Sequence, residues 1–397
     1  MRKFAEFEEG TGREIVFVLT EACNLNCVYC YETNKSSQAL SAEFIKEKIR
    51  EEMLAPDPCK LHSIGFFGGE PLLRFNVIRE VVDWFFETSW PRPVEKFLFR
   101  VSTNATLLND DMKRWFASRN QNITLGLSMD GTKEAQDRNR CGSYDAVIKH
   151  IDFIRENWPA QPVKMTISPR TIDQTYDGIV HIHSLGLPVE PDVVFEDVWG
   201  DEESEKRAVR SWARQLDRLV EYYFAHPELH RPNLLNRAFH RLFTDANGPK
   251  RTFCGAGKYL VAYASDGTKY PCFRFAPLCA PQPLYDILAT PDVENEKCAS
   301  CAFDRICPSC AGLNYRVTGS SFHRTSYHCR FFMVSLLASA KLLRLDHPED
   351  LSPSIREQSQ EEKLMRMRRL LIMRTVDDLC APVLEWCQLP AERPVFA

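Results

Sequence analysis

The chain has 397 residues, of which 44% are hydrophobic and 26% are charged. This composition is typical of a soluble globular protein with a sizeable core, and the length allows two or three domains. The formal net charge of -4 gives no electrostatic reason to expect a nucleic-acid partner. The N-terminus lacks the apolar segment of a secretory signal, and no stretch reaches the ~20 apolar residues of a membrane span. We therefore expect a cytoplasmic protein.

Over the first half of the chain, short apolar runs alternate with longer amphipathic patterns. The predicted strands are residues 15–19, 62–67, 97–102, 124–128, 163–168 and 189–195. The predicted helices between them are residues 41–54, 75–87, 110–117, 144–157 and 171–184. Strands that alternate with helices indicate a parallel sheet with crossover helices, so six such units predict an α/β fold, an open or partial (β/α)6 barrel. Catalytic groups in that architecture lie at the carboxyl ends of the strands.

The second half of the chain has a different pattern. From residue 199 to about residue 241 it is helical and charged, which predicts a connector packed outside the barrel. The following residues, to about 330, are rich in turns and cysteines, and such a segment would be unstable without bound metal. A basic amphipathic helix follows in the tail, where Leu364, Met367 and Leu371 share one face. We expect this helix to cap the cysteine-rich segment, with peptide binding as the alternative.

Cysteine is the outlier in the composition, with 15 residues. In a cytosolic chain, closely spaced cysteines indicate metal ligands or redox groups before disulfides. Cys23, Cys27 and Cys30 are spaced C-x3-C-x2-C directly after the first predicted strand. Three thiolates in a short loop can hold three corners of a cubane iron–sulfur cluster and leave one iron open. The alternative, a zinc loop with a distant fourth ligand, is disfavoured because a structural zinc site usually closes with four ligands.

This cysteine spacing, with the aromatic Tyr29 before the last cysteine, resembles the radical S-adenosylmethionine (radical SAM) superfamily. The resemblance implies that the open iron of a [4Fe–4S] cluster binds the amino and carboxylate groups of S-adenosylmethionine. It also implies that reduction of the cluster cleaves this cofactor to a 5′-deoxyadenosyl radical, which abstracts hydrogen from the substrate. The cofactor carries the difficult chemistry, and the protein supplies its position and excludes side reactions.

Polar segments after the later strands resemble the cofactor-binding segments of the same superfamily. Four residues after the second strand match its GGEP motif: Gly68, Gly69, Glu70 and Pro71. Their glycines permit close backbone approach, and the glutamate can accept from the methionyl ammonium. The resemblance places further residues beside the cofactor: Ser102, Asn104, Ser128, Asp130 and, in a motif with Asp137, Arg140. That arginine would meet the cofactor carboxylate. For each polar residue, the alternative is a cap or turn role.

A second set of cysteines resembles the SPASM extension of radical SAM enzymes that modify peptides and proteins. In the run of four cysteines that begins at Cys298, the third and fourth are separated by two residues, where the usual pattern has three. The resemblance implies two auxiliary [4Fe–4S] clusters. One would be held by Cys298, Cys301, Cys307 and Cys329, and the other by Cys254, Cys272 and Cys310. The fourth ligand of the latter stays open between Cys279 and an iron that grips a substrate thiol. A zinc ribbon is the alternative for the C-x2-C pairs.

The resemblance divides the chain into a radical SAM barrel at 1–198, a helical connector at 199–249, a SPASM domain at 250–345 and a helical tail at 346–397. Sulfatase-maturating enzymes have an aspartate, thought to act as the base, where this chain has Phe273. A phenyl ring cannot take a proton, so this departure counts against sulfatase maturation. Segments 30–36 and 307–315 resemble maturases of ribosomally made peptides more closely.

The resemblance therefore implies an oxidoreductase that forms a thioether or carbon–carbon crosslink in a precursor peptide, with flavodoxin or ferredoxin as electron donor. One alternative is a dehydrogenase or sulfatase-maturase-like enzyme, and another is an iron–sulfur electron-transfer or binding protein. We find no room for a winged-helix leader-binding domain, so we expect the connector, the tail or a separate protein to bind the leader. No proton acceptor or donor stands out, and the positional candidates are Asp192, Glu196, Asp197, Tyr259 and Tyr263.

Overall fold

The computed structural model describes residues 12–55, 61–94, 96–243, 255–257, 259–279, 295–351 and 359–389. The first half contains six strands: β1 Arg13–Thr20, β2 Leu61–Gly68, β3 Leu98–Thr103, β4 Ile123–Leu127, β5 Val163–Ile167 and β6 Val189–Val193. These strands and the helices between them confirm the predicted alternation, and each strand end lies within about two residues of its predicted position. Two short strands follow in the second half, β7 Leu260–Tyr263 and β8 Lys269–Tyr270.

The strands form a curved, open sheet. One sheet has the order β4-β3-β2-β1-β7-β8, in which β8 is antiparallel to β7, and β5 and β6 form a second, parallel pair. A parallel bridge between Ser128 and Lys164 continues the order from β4 to β5. The six predicted strands are thus parallel neighbours in chain order, as in a partial barrel, and their carboxyl ends share one edge.

The helices that cross between the strands cover one face of the sheet. They are α1 Ala42–Leu54, α2 Phe75–Glu87, α3 Asp110–Ser118, α4 Lys133–Asn139, α5 Tyr144–Ile148, α6 Ile151–Asn157 and α7 Thr175–Ser184. Single 3-10 turns occur at Pro71–Arg74 and Ile172–Gln174. Two features differ from the prediction: α4 was not predicted, and the predicted helix at 144–157 is divided by a turn at residues 149–150.

The core lies between the sheet and these helices. Ile15, Phe17 and Leu19 of β1 are fully buried in this core, and the residues between them are buried on the opposite face, because successive side chains of a strand point to opposite faces. Phe85 of α2 packs on Phe99 of β3 with ring centroids 5.2 Å apart. Each such side chain contributes ~1.5–3 kcal/mol of burial free energy. The same alternation leaves the polar side chains of β5 and β6 on the other face of the sheet.

The second half wraps around one side of the barrel. Its helices are α8 Glu202–Ala225, α9 Glu296–Ala299, α10 Ala311–Thr318, α11 Cys329–Asp346 and α12 Gln360–Trp386, with 3-10 turns at Phe239–Phe243, Phe273–Phe275 and Pro348–Leu351. The connector helix α8 packs on α11, where the buried Trp212 donates from Nε1 to the carbonyl oxygen of Phe331 at 3.0 Å. Within the described ranges, no helix has the length and apolarity to cross a membrane.

The tail helix α12 packs on α11, but not through the predicted face. Its buried residues are Ile372, Met373, Val376, Cys380 and Val383. Leu364, Met367 and Leu371 are instead exposed, at 48%, 67% and 53%. The stripe at 372, 376, 380 and 383 follows the helical repeat for longer than the predicted stripe does, so it forms the larger contact.

Candidate active site

The three-cysteine loop leaves the carboxyl end of β1. Cys23, Cys27 and Cys30 are partly buried and carry free thiols. Backbone groups shape the loop: Leu25 N donates to Cys23 Sγ at 3.4 Å, and Cys30 N donates to the carbonyl oxygen of Cys27 at 3.1 Å. Burial raises the pKa of all three thiols, and the neighbouring thiol adds to the shift for Cys27 and Cys30. Such thiols become thiolates readily only next to positive charge, which metal binding supplies.

The glycines of the GGEP segment hold the end of β2 against this loop. Gly69 N donates to the carbonyl oxygen of Thr20 at 2.8 Å, and Glu70 N donates to that of Ala22 at 2.9 Å. A Cβ atom on Gly69 would lie 2.2 Å from Ala22 O, and one on Gly68 would lie 2.3 Å from Thr20 O. Gly68 also has a φ of +133°. Only glycine therefore allows this close approach of the two backbones.

Glu70 connects the carboxyl ends of β2 and β3. Its buried carboxylate accepts hydrogen bonds from Leu72 N at 3.0 Å, Thr103 Oγ1 at 2.7 Å and Asn104 N at 2.8 Å. Burial raises its pKa, and these three donors oppose the increase. An ionised carboxylate has about four acceptor sites, so one remains for a further donor. The cap role, which the sequence left as an alternative, is thus present, and it leaves capacity for a ligand.

Asn104 joins the end of β3 to the cysteine loop. Its Nδ2 donates to Asn24 Oδ1 at 3.0 Å, and Asn24 donates to Thr106 Oγ1 at 2.7 Å. Ser102 is exposed and Ser128 is half-buried. Neither of these two hydroxyls makes a hydrogen bond in the part of the chain that the structure describes, so both stay available to a ligand.

Asp130 is a buried connection between the cysteine loop and the barrel. Its Oδ2 accepts from Tyr29 Oη at 2.7 Å and from Asn139 Nδ2 at 3.1 Å, while its Oδ1 accepts from Thr166 N at 3.0 Å. The Nε of Arg140 forms an ion pair with Oδ2 at 3.1 Å. A buried carboxylate needs such partners to offset its desolvation. Asp130 therefore holds Tyr29, and with it the loop, in one position.

Helix α4, which the sequence reasoning missed, supplies one wall of the loop. Val28 N donates to the carbonyl oxygen of Asn139 at 2.9 Å, and Cys141 Sγ donates to that of Asn26 at 2.9 Å. The guanidinium of Arg140 lies 5.4 Å from the Tyr29 ring centroid. Thr132, which accepts from Ala135 N and caps α4, was the sequence signal for this helix.

Electrostatics keep Arg140 charged at this wall. Burial lowers the pKa of Arg140, but its interactions with Asp130, Tyr29 and Cys27 together act more strongly, and the net direction is upward. Its predicted companion Asp137 lies elsewhere: it accepts from Tyr144 N at 2.9 Å and pairs with Lys133. The structure therefore brings Arg140, and not Asp137, to the loop.

The cysteine-rich segment docks directly on the three-cysteine loop. Asn34 N donates to the carbonyl oxygen of Leu278 at 3.1 Å, and its Nδ2 donates to that of Pro277 at 2.8 Å. The rings of Phe67 and Phe273 lie 4.2 Å apart. Phe273 also packs against the end of β1, so the position of the expected sulfatase-maturase base is an apolar contact.

Two further residues lie near this contact. The sequence analysis missed Glu32 and left the role of Cys279 open. The carboxylate of Glu32 is buried 3.9 Å from Cys30 Sγ, and burial raises its pKa to about 8. Burial also raises the pKa of Cys279, and the nearby charges of Glu32, Cys272 and Cys30 add to this effect. Cys279 thus lies between the two sets of cysteines. A glutamate two residues after a ligand cysteine was the only sequence signal for Glu32.

The second set of cysteines is placed as follows. Cys254 lies outside the described residues. Cys272 precedes the 3-10 turn Phe273–Phe275, and Cys310 precedes α10. These segments pack closely, because a Cβ on Gly312 would lie 2.6 Å from Arg274 Cβ. Cys272 and Cys310 thus begin two adjoining elements.

The other four auxiliary cysteines are electrostatic neighbours. Burial, together with the neighbouring Cys329, Cys301 and Cys298, raises the pKa of Cys307 to about 12. Burial likewise raises the pKa of Cys329 to about 11, with contributions from Cys301 and Cys298. Sulfur-only ligand sets fit iron–sulfur clusters. Within the described ranges, no three His, Cys, Asp or Glu side chains converge closely enough to bind a single metal ion.

Residues 17–179 match the family model of the Radical SAM superfamily. The chain is 29% identical over 146 residues to the cysteine-type anaerobic sulfatase-maturating enzyme of Clostridium novyi (strain NT), covering 33% of this chain and 37% of that protein. It is 27% identical over 175 residues to the antilisterial bacteriocin subtilosin biosynthesis protein AlbA of Bacillus subtilis (strain 168), covering 43% of this chain and 36% of AlbA. The alignments thus span little more than a third of each relative.

Solved structures agree in fold. The structure of anSMEcpe with bound AdoMet and the Cp18Cys peptide has a TM-score of 0.63 at 15% identity, covering 85% of this chain and 99% of that one. Streptococcus suis SuiB bound to the precursor peptide SuiA has a TM-score of 0.56 at 19% identity, covering 80% of this chain and 76% of SuiB. Residues 17–179 of this chain are therefore a radical SAM domain, and the chain has homologues among the anaerobic sulfatase-maturating enzymes and in the subtilosin biosynthesis protein AlbA.

Proposed function

We propose that this enzyme modifies a ribosomally made peptide and forms a thioether or carbon–carbon crosslink in it. The observation that carries the proposal is the docking of the cysteine-rich segment on the three-cysteine loop, through Asn34 and Leu278. Such a crosslink removes a pair of hydrogens from the substrate. A hydrogen-atom acceptor and a separate electron acceptor are then needed within reach of one substrate, and two neighbouring sets of cysteines suit this requirement.

The radical SAM domain implies a [4Fe–4S] cluster and S-adenosylmethionine as cofactors. When bound, they supply a 5′-deoxyadenosyl radical that removes a hydrogen atom from the substrate. Cys23, Cys27 and Cys30 would hold the cluster, with the loop fixed by Asp130 and Arg140. Close backbone and polar contacts to the cofactor would come from Gly68, Gly69, Pro71, Ser102 and Asn104. Ser128 would add a hydroxyl, and Glu70 a carboxylate oxygen for the ammonium.

The auxiliary cysteines would hold the electron acceptor. Formation of a thioether transfers one hydrogen atom to the radical and releases the thiol hydrogen as a proton, which leaves one electron. We propose that two further [4Fe–4S] clusters take this electron, one on Cys298, Cys301, Cys307 and Cys329 and one on Cys254, Cys272 and Cys310. Flavodoxin or ferredoxin would supply the electron that starts each turnover.

The comparisons support a peptide as the class of substrate, and the residue at position 273 argues against a sulfatase. AlbA is named for subtilosin biosynthesis, and SuiB is solved with its precursor peptide SuiA. Sulfatase-maturating enzymes are also relatives, but the apolar contact of Phe273 with Phe67 leaves no proton acceptor at that position. We propose that the leader of the peptide is bound by a separate protein, by α8 or by α12.

Mass spectrometry of a short peptide encoded beside this gene, after anaerobic co-expression, tests the proposal. We expect the peptide to lose a pair of hydrogens for each modified site, and fragmentation to locate the new bond. The matched control is the enzyme with Cys23, Cys27 and Cys30 changed to alanine, which should leave the mass unchanged. An unchanged mass with the wild-type enzyme, and no deuterium uptake from solvent, would exclude this peptide and favour a small-molecule substrate.

Release of 5′-deoxyadenosine separates the remaining alternatives. A dehydrogenase acting on another substrate would release it under reducing conditions. An iron–sulfur protein that only binds or transfers electrons would not, even with its clusters fully loaded. A wild-type enzyme that releases none would therefore contradict radical chemistry altogether.

A further inference from the structure

A second feature of the barrel is a cavity of about 400 Å³. It lies between β5 and β6, the segment that follows α8, and the cysteine-rich half of the chain. Its apolar lining includes Trp212, Leu234, Phe331 and Phe332. Lys164 of β5, which forms a parallel bridge with Ser128, also lines the cavity. Cavities of ~300–1,000 Å³ with an apolar lining and a few polar groups are typical of ligand sites.

The polar groups of the cavity come from the inner face of β5 and β6. Lys164 is in register with Glu190, and Asp192 follows on the same face of β6. Glu190 already has hydrogen-bond donors, because it accepts from His230 Nε2 at 2.7 Å and from the backbone N–H of Asn233 at 3.0 Å. Neither the ammonium group of Lys164 nor the carboxylate of Asp192 has a hydrogen bond or an ion pair within the described part of the chain.

Arg237 faces the same cavity from the segment after α8. Its guanidinium lies 5.0 Å from the ring centroid of Phe332, and its Nε is buried without a hydrogen-bond acceptor. Among the described residues, no carboxylate lies within 4.0 Å of it. Burial lowers its pKa to about 10, so it remains charged at neutral pH. A buried guanidinium without an acceptor is destabilising, and a ligand oxygen would relieve that cost.

The balance of charge selects an anion. Two cations without partners, Lys164 and Arg237, face a single carboxylate without a partner, Asp192. Desolvation by the surrounding protein raises the pKa of Asp192, and the charges of Lys164 and Arg237 oppose this increase. A planar guanidinium matches the two oxygens of a carboxylate, and the adjoining rings suit an apolar neighbour.

We propose that this cavity recognises a carboxylate of the peptide substrate, bound by Arg237 and Lys164, with an apolar residue next to it packed against Phe332 and Trp212. The proposal rests on the proposed function, since it takes a peptide as the ligand. The carboxylate has two sources, an acidic side chain or a chain terminus. Recognition here would place a segment of the peptide beside β5, whose neighbour β4 is followed by Ser128 and Asp130.

Calorimetric titration of the reconstituted full-length enzyme with three small probes tests this site. The probes are acetyl-Phe-Asp amide, its uncharged counterpart acetyl-Phe-Asn amide, and acetyl-Phe with a free terminal carboxylate. We expect the aspartate probe to bind about tenfold more tightly than the asparagine probe, in line with a charge-assisted hydrogen bond. Tight binding of acetyl-Phe alone among the carboxylates would identify the terminus as the source.

Two substitutions give opposite expectations. Arg237→Gln should lower the affinity for the carboxylate probe about tenfold and leave the asparagine probe unchanged. Asp192→Asn should raise the affinity for the same probe, because it removes the competing negative charge. Arg237→Lys keeps the charge and should retain part of the affinity, and Arg214→Gln on the exposed side of α8 is the matched control. A thermal unfolding scan of each variant verifies that it folds.

Several results would overturn the proposal. Equal affinity for the aspartate and asparagine probes, or no binding of any probe at millimolar concentration, would contradict it. Weaker carboxylate binding by Asp192→Asn would indicate a cationic ligand. A change of cluster reduction potential in Arg237→Gln without a change in binding would assign Arg237 to the nearby Cys307. The titration is independent of turnover, so carboxylate binding by an enzyme that leaves every peptide unmodified would refute the proposed function alone.

Discussion

Arg274 lies over the ring of Tyr31, with its guanidinium carbon 3.6 Å from the ring centroid. Tyr31 follows Cys30 directly, and Arg274 comes two residues after Cys272, so this contact joins the two sets of cysteines. Arg274 also donates to Glu196 Oε1 at 2.7 Å. One side chain thus connects the cysteine loop, the auxiliary segment and the end of the barrel.

We expect Arg274→Ala to destabilise the protein. Removing one partner of a largely buried pair costs up to about 3–5 kcal/mol, and Glu196 would keep only the longer ion pair with Arg316 at 3.9 Å. Thermal unfolding followed by circular dichroism measures the loss, with exposed Arg214→Ala as control. The double variant Arg274→Ala/Glu196→Gln should recover part of it, and an unchanged unfolding temperature of the single variant would contradict the connecting role.

Glu70 and Thr103 separate a cofactor role from a structural one. Glu70→Gln should weaken binding of S-adenosylmethionine about tenfold, because an amide is a poorer acceptor for an ammonium than a carboxylate. Thr103→Val removes one hydrogen bond to Glu70 but leaves its charge, so it should lower stability by about 1 kcal/mol and keep the affinity. Equilibrium binding to the reconstituted protein measures both. Equal losses of affinity in the two variants would show that Glu70 acts only through β3.

Gly69→Ala should displace the cysteine loop. The new Cβ would lie 2.2 Å from the carbonyl oxygen of Ala22. The atoms that it would contact belong to the backbone, so relieving the clash requires the backbone to shift. We expect the variant to retain about four fewer irons per chain after anaerobic reconstitution, the content of one cubane. Gly126→Ala, whose Cβ would have no neighbour closer than 3.5 Å, is the control and should keep the wild-type iron content.

The total iron content tests the auxiliary clusters. With three cubanes, the reconstituted chain should contain about twelve irons, and about eight should remain when Cys23, Cys27 and Cys30 are replaced by alanine. Elemental analysis for iron and zinc on the same sample gives the answer. A content of about four irons together with zinc would contradict the assignment of the auxiliary cysteines to iron–sulfur clusters.

The lowered pKa of the buried His150 predicts how the free energy of unfolding changes at acidic pH. Burial, with the charges of Lys113 and Lys149, lowers its pKa from 6.5 to about 4. The folded state therefore binds fewer protons than the unfolded chain between these values, and the free energy of unfolding should fall as pH drops through this window. His150→Leu should reduce that fall, as measured by urea unfolding between pH 7 and about pH 4. Exposed His226→Leu is the control, and a parallel pH dependence in wild type and His150→Leu would refute the assignment.

The strands and most helices were predictable because their signals are local. The continuous apolar run of β1 and the apolar stripe of α2 follow from neighbouring positions in the chain. Helix α4 was missed because it is short and its charged sequence has no apolar stripe. The docking face of α12 was misjudged for a related reason: the exposed stripe at Leu364 and the buried one at Val376 are both helical repeats, and only α11 distinguishes them.

What the sequence by itself determined is the chemistry carried by local spacing: three thiols in one loop, the glycines at the end of β2, and a second run of cysteines. Tertiary structure decided which distant groups meet. Tyr29 and Asp130 are 101 residues apart, and sheet order alone brings the loop after β1 beside the loop after β4. The same packing places Asp137 against Tyr144 and Lys133 rather than at the cysteine loop, and it places Arg237 in the lining of a cavity. Such contacts depend on the order of strands and helices in space, which no short segment encodes.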